Sequence, residues 1–110
     1  MIEHSKGRPD RLPAGEEPLA EAIVDRLDED GPHSGRLVLT PDRIYFLDDD
    51  HNNGRHDEII DHTLFESAEV TGDDTLGTLA LTWSDRGRVY EGDTLELRAF
   101  KAAIDTLLNP

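Results

Sequence analysis

The strongest strand signal lies in Leu76–Trp83, where LGTLALTW places Leu79, Leu81 and Trp83 on one face and Thr78, Ala80 and Thr82 on the other. A period of two is that of a half-buried strand. Ser84-Asp85-Arg86-Gly87 has hairpin-loop composition, with Gly87 suited to a left-handed residue, and residues 88–91 read as the returning strand. From residue 95 to 108 the period changes to that of a helix: Leu97, Phe100, Ile104, Leu107 and Leu108 form one apolar stripe, opposite Arg98, Lys101 and Asp105. Asp93 or Thr94 suits its cap, Asp93 and Glu96 have capping-box spacing, and Asn109-Pro110 suits its end.

Residues 35–47 (GRLVLTPDRIYFL) contain two β-rich runs, Leu37-Val38-Leu39 and Ile44-Tyr45-Phe46-Leu47, around Thr40-Pro41-Asp42. This predicts a hairpin, and because both parities are apolar, both faces should be at least partly covered. Ile59-Ile60 and Leu64-Phe65 suggest short strands, and residues 71–74 (TGDD) a turn. Residues 16–30 (EEPLAEAIVDRLDED) are ambiguous. Leu19, Ala22, Ile23 and Leu27 fall at helical spacing, Pro18 suits a first turn and Gly31 a stop. Leu19, Ile23 and Leu27 also share a strand parity, but Glu21 and Asp25 interrupt it. The local pattern favours helix. Residues 1–15 lack periodicity and are rich in proline, glycine and charge, as in a flexible tail. Residues 16–110 are expected to form one domain.

Composition narrows the functional classes. No apolar run approaches a membrane span, and residues 1–13 contain no apolar core of a signal peptide, so a cytoplasmic setting is expected. Cysteine is absent, which removes disulfides, thiolate metal sites and cysteine nucleophiles. The 110 residues carry 25 acidic and 11 basic side chains, for a net charge of −14. Such a chain repels phosphate backbones and anionic lipid, so nucleic acid is not an expected partner and membrane binding is disfavoured. Aspartate outnumbers glutamate, and Lys6 and Lys101 are the only lysines. Acidic, lysine-poor surfaces of this kind resemble those of proteins from salt-loving archaea.

The segment at residues 35–47 resembles the "G-x-L-x-L-T-x-x-R-hydrophobic-x-F" signature of GRAM and bacterial-type pleckstrin-homology-like (PH-like) domains, through Gly35, Leu37, Leu39, Thr40, Arg43, Ile44 and Phe46. The later hairpin and C-terminal helix fit the same family. The resemblance implies a mainly β (α+β) fold: a bent antiparallel PH-like barrel of about seven strands, capped by one C-terminal helix at about residues 95–108. It also implies that residues 17–27 form the first strand, against the local helical pattern. Phosphoinositide-binding relatives place basic residues around the loop joining the first two strands. Here that loop, DEDGPHSG at residues 28–35, has three carboxylates and reaches no basic residue until Arg36. Phosphate binding is therefore not expected.

Residues 48–58 (DDDHNNGRHDE) are the main candidate for metal chemistry. Starting an EF-hand register at Asp49 puts His51, Asn53 and Gly54 at positions three, five and six, but Ile60 at the twelfth, where a bidentate carboxylate is needed. A looser transition-metal set would draw on His33, His51 and His56 with Asp48 and Asp50. The competing reading is a hydrated loop turned by Asn53-Gly54. No nucleophile elbow, P-loop or dinucleotide fingerprint occurs. His62, Trp83 and Arg43 read as structural. The expectation is a non-enzymatic module with no cofactor, which binds a protein partner or associates with itself.

Overall fold

The structure, a computed structural model, describes residues 15–29, 31–48 and 57–108. Seven strands and one helix follow in order: β1 (Ala20–Asp28), β2 (Gly31–Leu39), β3 (Arg43–Asp48), β4 (Glu58–Asp61), a 3-10 turn (His62–Leu64), β5 (Phe65–Gly72), β6 (Leu76–Trp83), β7 (Arg86–Asp93) and α1 (Thr94–Leu108). The strands make one antiparallel sheet in the order β4-β3-β2-β1-β7-β6-β5. Its two halves meet where β1 pairs with β7, at Val24↔Gly92, Asp25↔Glu91 and Arg26↔Tyr90. No ladder joins β4 to β5 among the described residues, so the barrel is bent but not closed.

The inward parities fill one core. Ala22 and Val24 of β1, Leu37 and Leu39 of β2, Ile44 and Phe46 of β3 and Ile60 of β4 face Leu79, Leu81 and Trp83 of β6 and Tyr90 of β7. Leu97, Phe100 and Ile104 of α1 complete it, with Leu107 and Leu108 packed at its margin. Trp83 is thus a core anchor, and Ile60, the twelfth position of the rejected calcium register, is buried. Asp93 caps α1 by accepting a hydrogen bond from the Glu96 amide at 3.0 Å. Glu96 reaches across to accept from the Ile23 amide at 3.0 Å, tying α1 to β1.

Four local readings are corrected. The helical spacing of Leu19, Ile23 and Leu27 does not produce a helix. β1 runs from Ala20 to Asp28, and its inward parity is Ala22, Val24 and Arg26, while Leu19, Ile23 and Leu27 stay exposed. The supposed loop at residues 28–35 is mostly strand, because β2 begins at Gly31, whose φ of +120 suits glycine. In the β6–β7 hairpin Ser84 and Asp85, rather than Gly87, take positive φ (47 and 64), and β7 begins at Arg86. Leu64 and His62 lie in the 3-10 turn, capped by the Asp61 side chain, and β5 extends through to Gly72.

The residues of the family signature serve the fold. A Cβ on Gly35 would lie 2.4 Å from the Leu47 carbonyl oxygen and under 3 Å from the Phe46 ring, so only glycine lets β2 and β3 approach there. The Thr40 hydroxyl accepts from the Asp42 and Arg43 amides at 3.2 and 3.0 Å and organises the β2–β3 turn. The same hydroxyl donates to Glu16 Oε1 at 2.7 Å. Glu16 Oε2 accepts from Tyr45 at 2.7 Å and from the Arg43 guanidinium. Burial alone would push the Glu16 carboxyl up. The bonds from Thr40 and Tyr45 and the charge of Arg43 outweigh it, holding the group below the usual glutamate range.

Candidate functional site

The β1–β2 turn and the β6–β7 hairpin stand at one end of the sheet, since β1 and β7 pair antiparallel with Arg26 opposite Tyr90. The end of β3 and the start of β4 lie beside them, because Gly35↔Asp48 and Phe46↔Glu58 are register partners. Four strands therefore deliver charged side chains to a single mouth.

Its centre is Arg26, an inward residue of β1 that is only 3% exposed. Nε donates to both Asp28 oxygens at 3.1 and 3.0 Å, and NH2 lies 2.9 Å from Oδ2. NH1 lies 3.3 Å from Glu58 Oε1. The guanidinium also sits 4.7 Å from the centroid of the Phe46 ring, which the inward parity of β3 places beneath it. Arg88 of β7 grips Glu58 from the other side, with Nε 3.1 and 3.0 Å from the two oxygens and NH2 at 2.9 Å. This is the bidentate geometry in which Arg–carboxylate pairs are strongest. The bond to Glu58 keeps Arg88 firmly charged.

His33 lies on β2 rather than in a loop, opposite Arg26 in the ladder. Its Nε2 is 3.4 Å from Asp28 Oδ2 and its Nδ1 3.5 Å from Asp48 Oδ2. Asp48 is buried at the end of β3, and its amide donates to Asp57 Oδ1 at 2.7 Å. Behind the arginines, Tyr90 packs on Phe46 at 5.5 Å between centroids, and burial, with the charge of Glu58, pushes its phenol well above the usual tyrosine range. Among the described residues its hydroxyl has no hydrogen-bond partner.

Of the candidate metal ligands, the structure brings His33 and Asp48 together. Asp50, His51 and His56 lie outside the described residues. Among the described residues no group of three histidine or carboxylate side chains has an arrangement able to hold a metal ion. Asp28 and Glu58, which the sequence reading counted only as rim charge, prove to be specific partners of arginine. Arg26 and Arg88 were missed because an arginine within a strand gives no sign of which face it occupies. The one available signal was parity, since Arg26 shares that of Ala22 and Val24.

Outside the ion-paired centre, a cleft of about 470 Å³ is lined by Leu27, Asp28, Glu29, Gly87, Arg88 and Val89. Leu27 and Val89 are exposed apolar side chains, and Glu29 is an exposed carboxylate. The cleft therefore offers an apolar strip beside negative charge, with its one guanidinium turned to Glu58.

No family model matches the chain, and no curated protein matches it in sequence. Solved structures do match in shape. The C-terminal domain of an unknown protein from Leishmania infantum superposes with a TM-score of 0.69 at 12% identity, covering 88% of each chain. The Vps36 N-terminal PH domain gives 0.61 at 17% identity over 90% of this chain and 86% of that one. The DH/PH domains of p115-RhoGEF give 0.61 at 15% identity, over 90% of this chain and 32% of the larger protein. With its seven-stranded bent sheet and single C-terminal helix, the chain has a PH-like fold.

Proposed function

We propose that the protein is a non-catalytic PH-like module that docks a basic segment of a partner protein in the cleft between the β1–β2 turn and the β6–β7 hairpin. One observation carries this reading. Arg26 and Arg88, the two guanidinium groups that line the inner mouth among the described residues, are engaged by the chain's own Asp28 and Glu58, while Arg86 stands exposed at the hairpin. A phosphate would have to displace a bidentate carboxylate to reach Arg26 or Arg88, and in the cleft it would meet Glu29. A lysine or arginine side chain meets the opposite situation: the Glu29 carboxylate at the rim for its charge, and Leu27 and Val89 for its methylene stem.

The GRAM-type assignment and a high-salt cellular setting belong to the same proposal. The first is supported by the signature from Gly35 to Phe46, the second by the acidic, lysine-poor composition.

The test is an NMR titration of isotope-labelled protein at the lowest salt that preserves the fold, with an arginine-rich peptide in one arm and inositol trisphosphate in the other. The peptide should shift the amides of residues 27–29 and 86–89, and Glu29→Lys should weaken it. Shifts there from the inositol phosphate alone would overturn the proposal.

A further inference from the structure

The face formed by α1 and the start of β1 leaves three large apolar residues uncovered. Ile23 is 72% exposed, Leu95 69% and Leu19 52%. Between them the outer side of α1 presents Ala99, Ala102 and Thr106, all exposed, and a groove of about 420 Å³ runs along Leu19, Ala102, Ala103, Thr106 and Leu107. Glu21, between Leu19 and Ile23 on the outward parity of β1, lies within this area, as does Glu96, whose carboxylate accepts from the Ile23 amide. The parity of β1 explains the exposure: with Ala22 and Val24 turned inward, Ile23 and Leu19 face out.

We infer that this face is the contact between two copies of the chain. Two molecules that each carry −14 repel wherever unpaired acidic surfaces meet, and on this face Glu21 and Glu96 are already engaged, by Arg36 and by the Ile23 amide. Its borders are charged asymmetrically. Its β1 side carries the exposed Glu17 and, between Leu19 and Ile23, Glu21, which accepts from Arg36 at 3.3 Å. Arg98 flanks it on the far side of the helix, beside the Lys101–Asp105 pair. A two-fold axis lying along α1 sets the acidic border of one copy opposite Arg98 of the other, twice over, so the face complements itself. The small side chains at Ala99, Ala102 and Thr106 let the helices come close, with Leu95 and Ile23 closing on the partner at the ends. This contact is separate from the mouth, which lies at the other end of β1 and β7.

Sedimentation equilibrium in molar potassium chloride, where self-repulsion is screened, tests the inference. A monomer–dimer equilibrium is expected. Ala102→Glu and Leu95→Glu, both at exposed helical positions, should each weaken it by roughly tenfold or more while circular dichroism stays unchanged. Ile59→Glu, at a comparably exposed apolar residue on β4, should leave it intact. A wild-type chain that stays monomeric up to millimolar concentration overturns the inference. So does a dimer that survives Ala102→Glu, or one that is lost in Ile59→Glu instead. Peptide binding at the mouth should be unaffected by Ala102→Glu, which separates this result from the docking proposal.

Discussion

Glu16 is a carboxylate buried against three donors, and the loss of its charge should be felt across the β2–β3 turn. Glu16→Gln keeps the shape but removes the charge that Arg43 and Tyr45 address. Urea unfolding at neutral pH should show a loss of about 1–3 kcal/mol. The native carboxyl is held below its ordinary range, so its contribution is complete above the usual glutamate range and disappears as pH falls through the lowered native value. The variant should therefore lose less stability than the wild type on acidification, and parallel pH profiles would refute this. Nothing in EEPLA marked Glu16 as buried. Its partners are 24 and more residues away in sequence, and a Gly-Glu-Glu-Pro stretch has the composition of a surface turn. Thr40 and Arg43, by contrast, were legible as parts of a hairpin, although their tie to Glu16 was not.

At the scale of elements, α1 depends on its first turn. Asp93→Ala removes the side chain that accepts the Glu96 amide and should cost about 1 kcal/mol, read from the denaturation midpoint. A variant as stable as wild type would mean that Glu96 and the packing of Leu97 fix the helix start unaided. The helix was legible because its apolar stripe keeps one period over four turns. β6 was legible because its alternation is clean. β1 was not, for a physical reason: its core side is made of small residues and an arginine, and its bulky apolar residues face outward at a spacing that a helix would also produce. What identified the strand was the resemblance carried by the neighbouring hairpin. The extent of β5 was hidden in the same way, since FESAEVTG buries its apolar side only partly.

For the molecule as a whole, the net charge of −14 sets a salt dependence. Raising potassium chloride from dilute to molar should raise the thermal midpoint, because screening removes repulsion spread over the surface. The pair Arg26–Asp28, with its guanidinium buried, is shielded from the added ions and contributes little to that change, whereas the more exposed Arg88–Glu58 pair is screened in part. Equal or higher stability in dilute buffer would count against the high-salt setting. Sequence gave the mouth its acidity but not its organisation, because the pairing of Arg26 with Glu58 and of Arg88 with Glu58 brings together residues about thirty positions apart. The β1–β7 seam has a further consequence for how the chain is made. The first strand meets its neighbour on that side only when residues 90–92 are available, so a nascent chain emerging from a ribosome carries β1 with one edge unsatisfied until nearly the whole domain has been synthesised. Closure is then a late, long-range event, and the time before it is when the chain is most open to strand exchange with its neighbours.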